Sequence, residues 1–176
     1  MTSIAVEIGE SRHDCHRPRP PADRPPDPAR PDAGLVLASL RHTEGPEHQR
    51  RVMSGVMEAW EKAPLPAAYL ARHCLAGSDG RTILNFAQWT TSEAHRIFAA
   101  DPRNQQTLGD AVQALYSADP PGRYAPHRRT GRSSGAAHFF VAETGRRLLA
   151  LAGYEDQPAG AALHFRPFRG LVRPER

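Results

Sequence analysis

The chain has two cysteines in 176 residues, Cys15 and Cys74, far apart in segments of different character. Small secreted folds are stapled by an even, closely spaced set, so a disulfide framework is excluded and a reducing cytoplasm is the expected setting. Lysine is nearly absent: Lys62 stands alone against 22 arginines. Beside so much alanine, proline and glycine, that bias has the look of GC-rich coding, and nucleic acid is not the expected partner. Long apolar runs are missing too. No stretch approaches the ~18 apolar residues of a membrane helix, and MTSIAVEIGESRHD carries acids too early for a signal peptide, so no export and no membrane partner are expected.

The hydrophobic fraction is 39%, low for a chain of this length. One cored domain with flanks that stay outside the core is the expected organisation. Charge is uneven as well: residues 123–176 hold 10 basic and 4 acidic side chains, while residues 34–122 hold 8 and 9. The formal excess of +4 therefore sits in the last third, and the central part has no basic face for a nucleic acid.

From Arg17 to Pro31, RPRPPADRPPDPARP alternates proline with charge and has no apolar side chain larger than alanine. Such a stretch buries too little to offset the entropy of ordering, so residues 1–33 read as a disordered or polyproline-like extension. HDCH at 13–16 offers metal-type side chains, but a zinc site needs four held in a fixed tetrahedron, and no metal is expected there.

The ordered pattern begins at LVLASLRH, 35–42, a strand. Pro46 and Glu47 then open a helix in which Val52, Met53, Val56, Met57 and Trp60 form one apolar stripe, ended by Pro64 and Pro66. AAYLARHCLA, 67–76, is a second strand, GSDG a turn, and RTILNFAQW a third strand. Thr90 stands three residues before Glu93 at capping-box spacing, opening a helix with Ala94, Ile97 and Phe98 inward. A further helix is expected over 105–116, and RYAPHRR, 123–129, is a fourth strand. The order describes an α+β fold, a ferredoxin-like β-α-β-β-α-β unit whose antiparallel sheet carries helices on one face. The bare face needs a cover, and a second copy forming a dimeric α+β barrel is the usual one.

Along the third strand, Ile83, Asn85, Ala87 and Trp89 share one face, and Leu84, Phe86 and Gln88 the other. Small residues, one uncharged amide and an aromatic end wall would suit a pocket for a planar aromatic molecule. The same pattern would also arise if Asn85 bonded a neighbouring backbone and Trp89 plugged a barrel end.

DGRTILNFAQWTTSEAHRIFAADPR, 79–103, closely resembles the antibiotic biosynthesis monooxygenase family, small cofactor-independent enzymes of actinomycete polyketide pathways built as dimeric α+β barrels. The resemblance spans roughly 34–130 and is strongest in N-F-A-Q-W, S-E-A and A-D-P-R. It implies oxidation of an anthrone or hydroquinone to a quinone by dioxygen, a homodimer, no cofactor, and a substrate pocket lined by Asn85 and Trp89. The family's pocket tyrosine, six residues after the tryptophan, is replaced by His95, the candidate base at near-neutral pH. The same position also fits a solvated helix residue. An arginine expected on the next helix falls near Leu108 and Gly109 and is missing. On this resemblance Asn85 donates a hydrogen bond to a substrate oxygen and Trp89 is the aromatic wall, with His73 and Tyr124 in reserve. The haem-degrading relatives use a histidine on the later helix, and RNQQTLGDAVQALY, 103–116, has none. A non-catalytic accessory protein of the same fold is the competing reading.

The basic end, 131–176, is harder to read. HFRPFR at 164–169 repeats the aromatic, proline and arginine pattern of RYAPHR at 123–128, so either could be the closing strand. HFFVAETGRRLLALAG reads as a strand or helix start followed by a short helix.

Overall fold

A computed structural model of the chain describes residues 2–8, 26–109, 122–130, 137–145, 147–153 and 163–173. The central unit follows its hydrophobic periods. Strand β2, Leu35–His42, leads into helix α1, Pro46–Lys62, which starts at its proline and buries Val52, Met53, Val56 and Met57. Gln49 is buried as well, its Nε2 donating to the carbonyls of Thr82 at 2.7 Å and Gly77 at 3.4 Å, which ties α1 to the sheet.

Strand β3, Tyr69–Gly77, turns through Gly80, whose φ of 68° suits a residue without Cβ, into β4, Thr82–Trp89. Asp79 fixes the turn by accepting from the Thr82 backbone N–H at 2.8 Å and from its hydroxyl at 2.6 Å. Helix α2, Ser92–Ala100, is capped by Thr91, whose Oγ1 accepts from the Ala94 N–H at 3.1 Å. The cap thus lies one residue after the expected Thr90, and Glu93 pairs with Arg96 instead of closing a capping box. A helical turn, Pro102–Asn104, continues as a π-helical turn, Gln105–Gly109. The rest of the helix expected over 105–116 lies outside the described residues. Strand β5, Gly122–Thr130, completes the unit. Within the sheet these strands run β5-β2-β4-β3, all antiparallel, the ferredoxin-like order expected of an α+β fold.

The second face of that sheet is covered by the same chain. Strands β1 (Thr2–Ile8), β6 (Ala137–Ala142), β7 (Arg147–Gly153) and β8 (His164–Val172) close an eight-strand barrel in the order β1-β7-β6-β5-β2-β4-β3-β8. Its interior is a hydrophobic cluster of Val36, Leu75, Leu84, Phe86, Tyr124, Phe140, Leu149 and Phe165 with small alanines. Burial of this face therefore requires no second copy, because the terminal segments supply what a partner was expected to supply.

Three expectations change here. Residues 1–33 are not uniformly an extension: β1 pairs in parallel with β7 over its whole length and with β8 at its end. Residues 26–33 pack across one end of the barrel, where buried Arg30 donates to the Arg173 carbonyl at 2.9 Å and to Asp32 at 2.6 Å. Gln88 Nε2 holds the same segment through the Asp27 carbonyl at 2.8 Å. RLLALAG, 147–153, is strand and not helix, since β6 and β7 form a hairpin whose pairing aligns Phe140 with Leu149. Both repeat motifs are strands, RYAPHR in β5 beside β2 and HFRPFR in β8 beside β3. Each carries a register shift next to its proline, at Pro126 and Pro167, where the missing N–H leaves the ladder short of a donor. The HDCH segment lies outside the described residues, and among those residues no helix is long and apolar enough to cross a membrane.

The barrel reading has a measurable cost attached. Phe140 is buried and meets Phe86 edge to face at 6.5 Å. Phe140→Ala should lower unfolding free energy in urea by about 3–5 kcal/mol, the usual loss for a buried phenylalanine. Ile97→Ala, at a side chain 65% exposed, should stay within about 0.5 kcal/mol. Equal, small effects would show that the terminal segment is no part of the barrel.

Candidate functional site

All eight residues of β4 are buried, so the strand is covered on both faces. Parity assigns the layers. Ile83 packs with Val52, Met53, Val56, Met57 and Cys74, and Ala87 and Trp89 pack with Leu35, Leu37, Tyr69, Phe98 and Leu108, all on the helix side. Leu84 and Phe86 line the barrel. The Ile, Asn, Ala, Trp face therefore looks into the layer between sheet and helices.

Two of the seven expected site residues fall elsewhere. Tyr124 lies in the barrel cluster. His73 pairs in register with Phe86, the barrel side of β4, while its neighbours Arg72 and Cys74 pair with Ala87 and Asn85. One sheet thickness separates His73 and Tyr124 from Asn85 and Trp89, so they do not share a pocket. His95 does reach Trp89: its ring stands edge-on to the indole, centroids 5.0 Å apart, so it is turned inward and is not a solvated helix residue.

Asn85 Oδ1 accepts from Arg72 Nη2 at 3.2 Å and from Cys74 Sγ at 3.2 Å. Both neighbours are donors, which orients the amide with Nδ2 turned away from them. Burial pushes the Cys74 thiol up to about 11, so it stays protonated and can donate. Asn85 Nδ2 and Trp89 Nε1 are buried and have no hydrogen-bond partner among the described residues. A buried donor left unpaired costs about 1–3 kcal/mol, so two on one strand face, with only Ala87 between them, call for an explanation. Around them runs a ring cluster. Trp60 stacks on Tyr69 at 5.9 Å, Tyr69 meets Trp89 edge-on at 5.6 Å, and Phe98 closes on Trp89 at 5.1 Å. The Arg72 guanidinium lies 4.4 Å over the Trp60 ring.

His95 is a poor base in this setting. Burial first, and the Arg123 guanidinium second, hold its imidazole down to about 4, with Glu143 acting in the opposite direction. Arg123 Nη1 stands 2.8 Å from His95 Nδ1 and occupies the nitrogen that would take a proton. His95 is the expected base near neutral pH, and both of these effects oppose its taking a proton.

Arg72 and Arg123 are the site residues that sequence reasoning missed. An arginine was sought on the helix after α2, whereas both cations come from strands. Arg72 had a signal: it is the one charged side chain in an apolar strand and alternates with Cys74. Arg123 had none, because its layer depends on the pairing of β5 with β2.

Beyond Phe98 an open cavity of about 490 Å³ is lined by Pro64, Pro66, Ala68, Ala94, Ile97, Phe98, Asp101, Arg103 and Asn104. It touches none of Asn85, Trp89 and His95. Only Phe98 belongs both to its lining and to the ring cluster on Trp89.

No family model matches the chain, and no curated protein matches it. Among solved structures it is similar to a monooxygenase from the gene ActVA-Orf6 of Streptomyces coelicolor, crystallised in complex with the ligand Nanaomycin D. That similarity has 28% identity and a TM-score of 0.49 and covers 61% of this chain and 100% of the other.

The depressed His95 value sets a pH dependence. The unfolded imidazole takes a proton near its ordinary 6.5 while the folded one resists to about 4. Its contribution to stability is therefore complete above about pH 6.5 and lost as pH falls toward 4. Urea midpoints should drop over that window, and His95→Gln should flatten the drop. Equal slopes for the two proteins would mean that the ring titrates normally.

Proposed function

We propose that the chain is a cofactor-independent monooxygenase that oxidises an anthrone or hydroquinone of aromatic polyketide type to a quinone with dioxygen. The observation that carries this reading is the pair of unpaired buried N–H groups, Asn85 Nδ2 and Trp89 Nε1, on one aromatic-walled face of β4. Together with the N-F-A-Q-W and A-D-P-R resemblance, they describe a site made to receive an oxygen acceptor between flat apolar walls.

The chemistry follows from donors in a dry layer. A phenol or enol whose oxygen meets Asn85 and Trp89 loses its proton more readily, because hydrogen bonds to the charged form favour it. Arg72, held by Asn85 and the Trp60 ring, adds positive charge beside the developing anion. With His95 held neutral, the substrate would enter as its anion, the proton left in bulk water before binding. The electron-rich anion reduces dioxygen directly: for an anthrone, the methylene loses two hydrogens, its carbon takes one oxygen atom as the new carbonyl, and the other leaves as water. Ile83 and Ala87, on the same face of β4, would form the floor of this site. A homodimer, as the resemblance implies, would pair two complete barrels.

One observation favours a second reading. Burial and Arg123 hold His95 against protonation, so the same face of β4 could bind an aromatic polyketide without turning it over, as an accessory protein would.

Oxygen uptake by metal-free, flavin-free protein with chelator, given a panel of anthrones and hydroquinones, separates the two. Protein-dependent uptake with quinone formation is the expected result. Asn85→Ala should then lower kcat by about 10²–10³, the usual loss for one oxyanion donor, and Trp89→Phe, which keeps the ring and removes the N–H, should also slow turnover. Full turnover in both variants would move the site elsewhere. Trp60 and Trp89 are the only tryptophans of the chain and both lie in this layer, so binding reads directly as fluorescence quenching. Quenching without uptake would support the accessory reading.

A further inference from the structure

We infer that Arg123 and Glu143 act as a positioning pair that fixes His95 as a neutral imidazole with its proton on Nε2, so that the terminal hairpin is part of the site's machinery. The inference rests on reading Asn85, Trp89 and His95 as one site.

The geometry is a fork. Arg123 leaves β5 with Nε donating to Glu143 Oε2 at 3.0 Å, Nη1 to His95 Nδ1 at 2.8 Å, and Nη2 to Ser92 Oγ at 2.8 Å and the Ser92 carbonyl at 3.1 Å. Ser92 Oγ in turn donates to Glu143 Oε1, and Arg96 Nη2 reaches Glu143 Oε2 at 3.3 Å. Glu143 is itself fixed. It opens the β6–β7 turn, its backbone N–H donates to the Arg123 carbonyl at 3.0 Å, and the turn closes through Gly145, at φ 69°, onto the Ala142 carbonyl at 2.7 Å.

A guanidinium has only donors, so the Nδ1 it meets must be an unprotonated acceptor. The remaining proton is then on Nε2. A doubly protonated ring would turn an N–H against a cation, which is the physical reason that Arg123 opposes protonation. The charged groups facing this ring are Arg123 from β5, Glu143 from the β6–β7 turn, and Arg96 on α2, itself paired with Glu93. Glu143 neutralises the cluster and at the same time aims Arg123. Arg123 reaches this layer through its bond to His95, so both residues would act through that ring, turning it from a base into a donor beside Trp89.

The test is ¹⁵N nuclear magnetic resonance of the full chain with ring-labelled histidine. Nine histidines contribute, and the His95 signals are those absent from His95→Gln. Between pH 5 and 8 the wild-type ring should show the Nε2–H tautomer alone. In Arg123→Met both tautomers should appear, and the protonation midpoint should rise toward 6.5. In Glu143→Gln, Arg123 loses its carboxylate clamp and a minor second tautomer should emerge. A wild-type Nδ1–H tautomer, or no change in Arg123→Met, would overturn the inference. An unchanged spectrum in Glu143→Gln would remove Glu143 from it. No substrate is present, so the expected spectra together with absent oxygen uptake would leave the positioning intact and sink the oxygenase reading.

Discussion

Strand β4 has no face left for water, and the rest of the structure depends on that. A strand covered on both sides sorts its side chains by parity into two dry layers. Odd positions from Ile83 to Trp89 meet the helices, and Leu84 and Phe86 line the barrel. A slip of one residue would put Asn85 among the barrel phenylalanines and Phe86 beside Arg72. The candidate site and the core are thus two consequences of one register, held on one side by β2 and on the other by β3.

Placing polar groups in such a layer is costly, and the neighbouring side chains are chosen to limit the cost. Arg72 lies on an aromatic face and on an amide oxygen, and Arg123 is neutralised by Glu143 before it reaches His95. Besides Arg72 Nε, two donors on β4 escape this compensation, Asn85 Nδ2 and Trp89 Nε1. They share the strand face that has small residues at its centre, which is where a ligand would be asked to complete the bonding.

Much of this was legible because it is local. The stripe from Val52 to Trp60, the turn at Gly80 and the alternation of Asn85 with Trp89 each follow from a few adjacent residues. What escaped was set by pairing between distant segments. Tyr124 could not be placed in the barrel without knowing that it aligns with Val36. LLALAG is apolar throughout and has no period to separate strand from helix. β1 lies in the segment read as an extension, because a strand whose partners are Arg147–Gly153 is fixed by distant pairing and not by its neighbours in sequence. Even the choice of cation was a question of topology: the charge expected from a helix is carried by strands.

The parallel pairing of β1 with β7 has a kinetic side. At the usual rates of synthesis β1 is made on the order of ten seconds before β7 exists. The ferredoxin-like unit, whose strands are neighbours in sequence, can condense in that interval, but the barrel cannot close, because its closing contact joins Thr2 to Arg147. Until then the β5 edge and the Phe86 side of the sheet stand open, the kind of apolar edge that seeks pairing with other chains. The folding hazard of this protein should therefore lie in the wait between its first strand and its last.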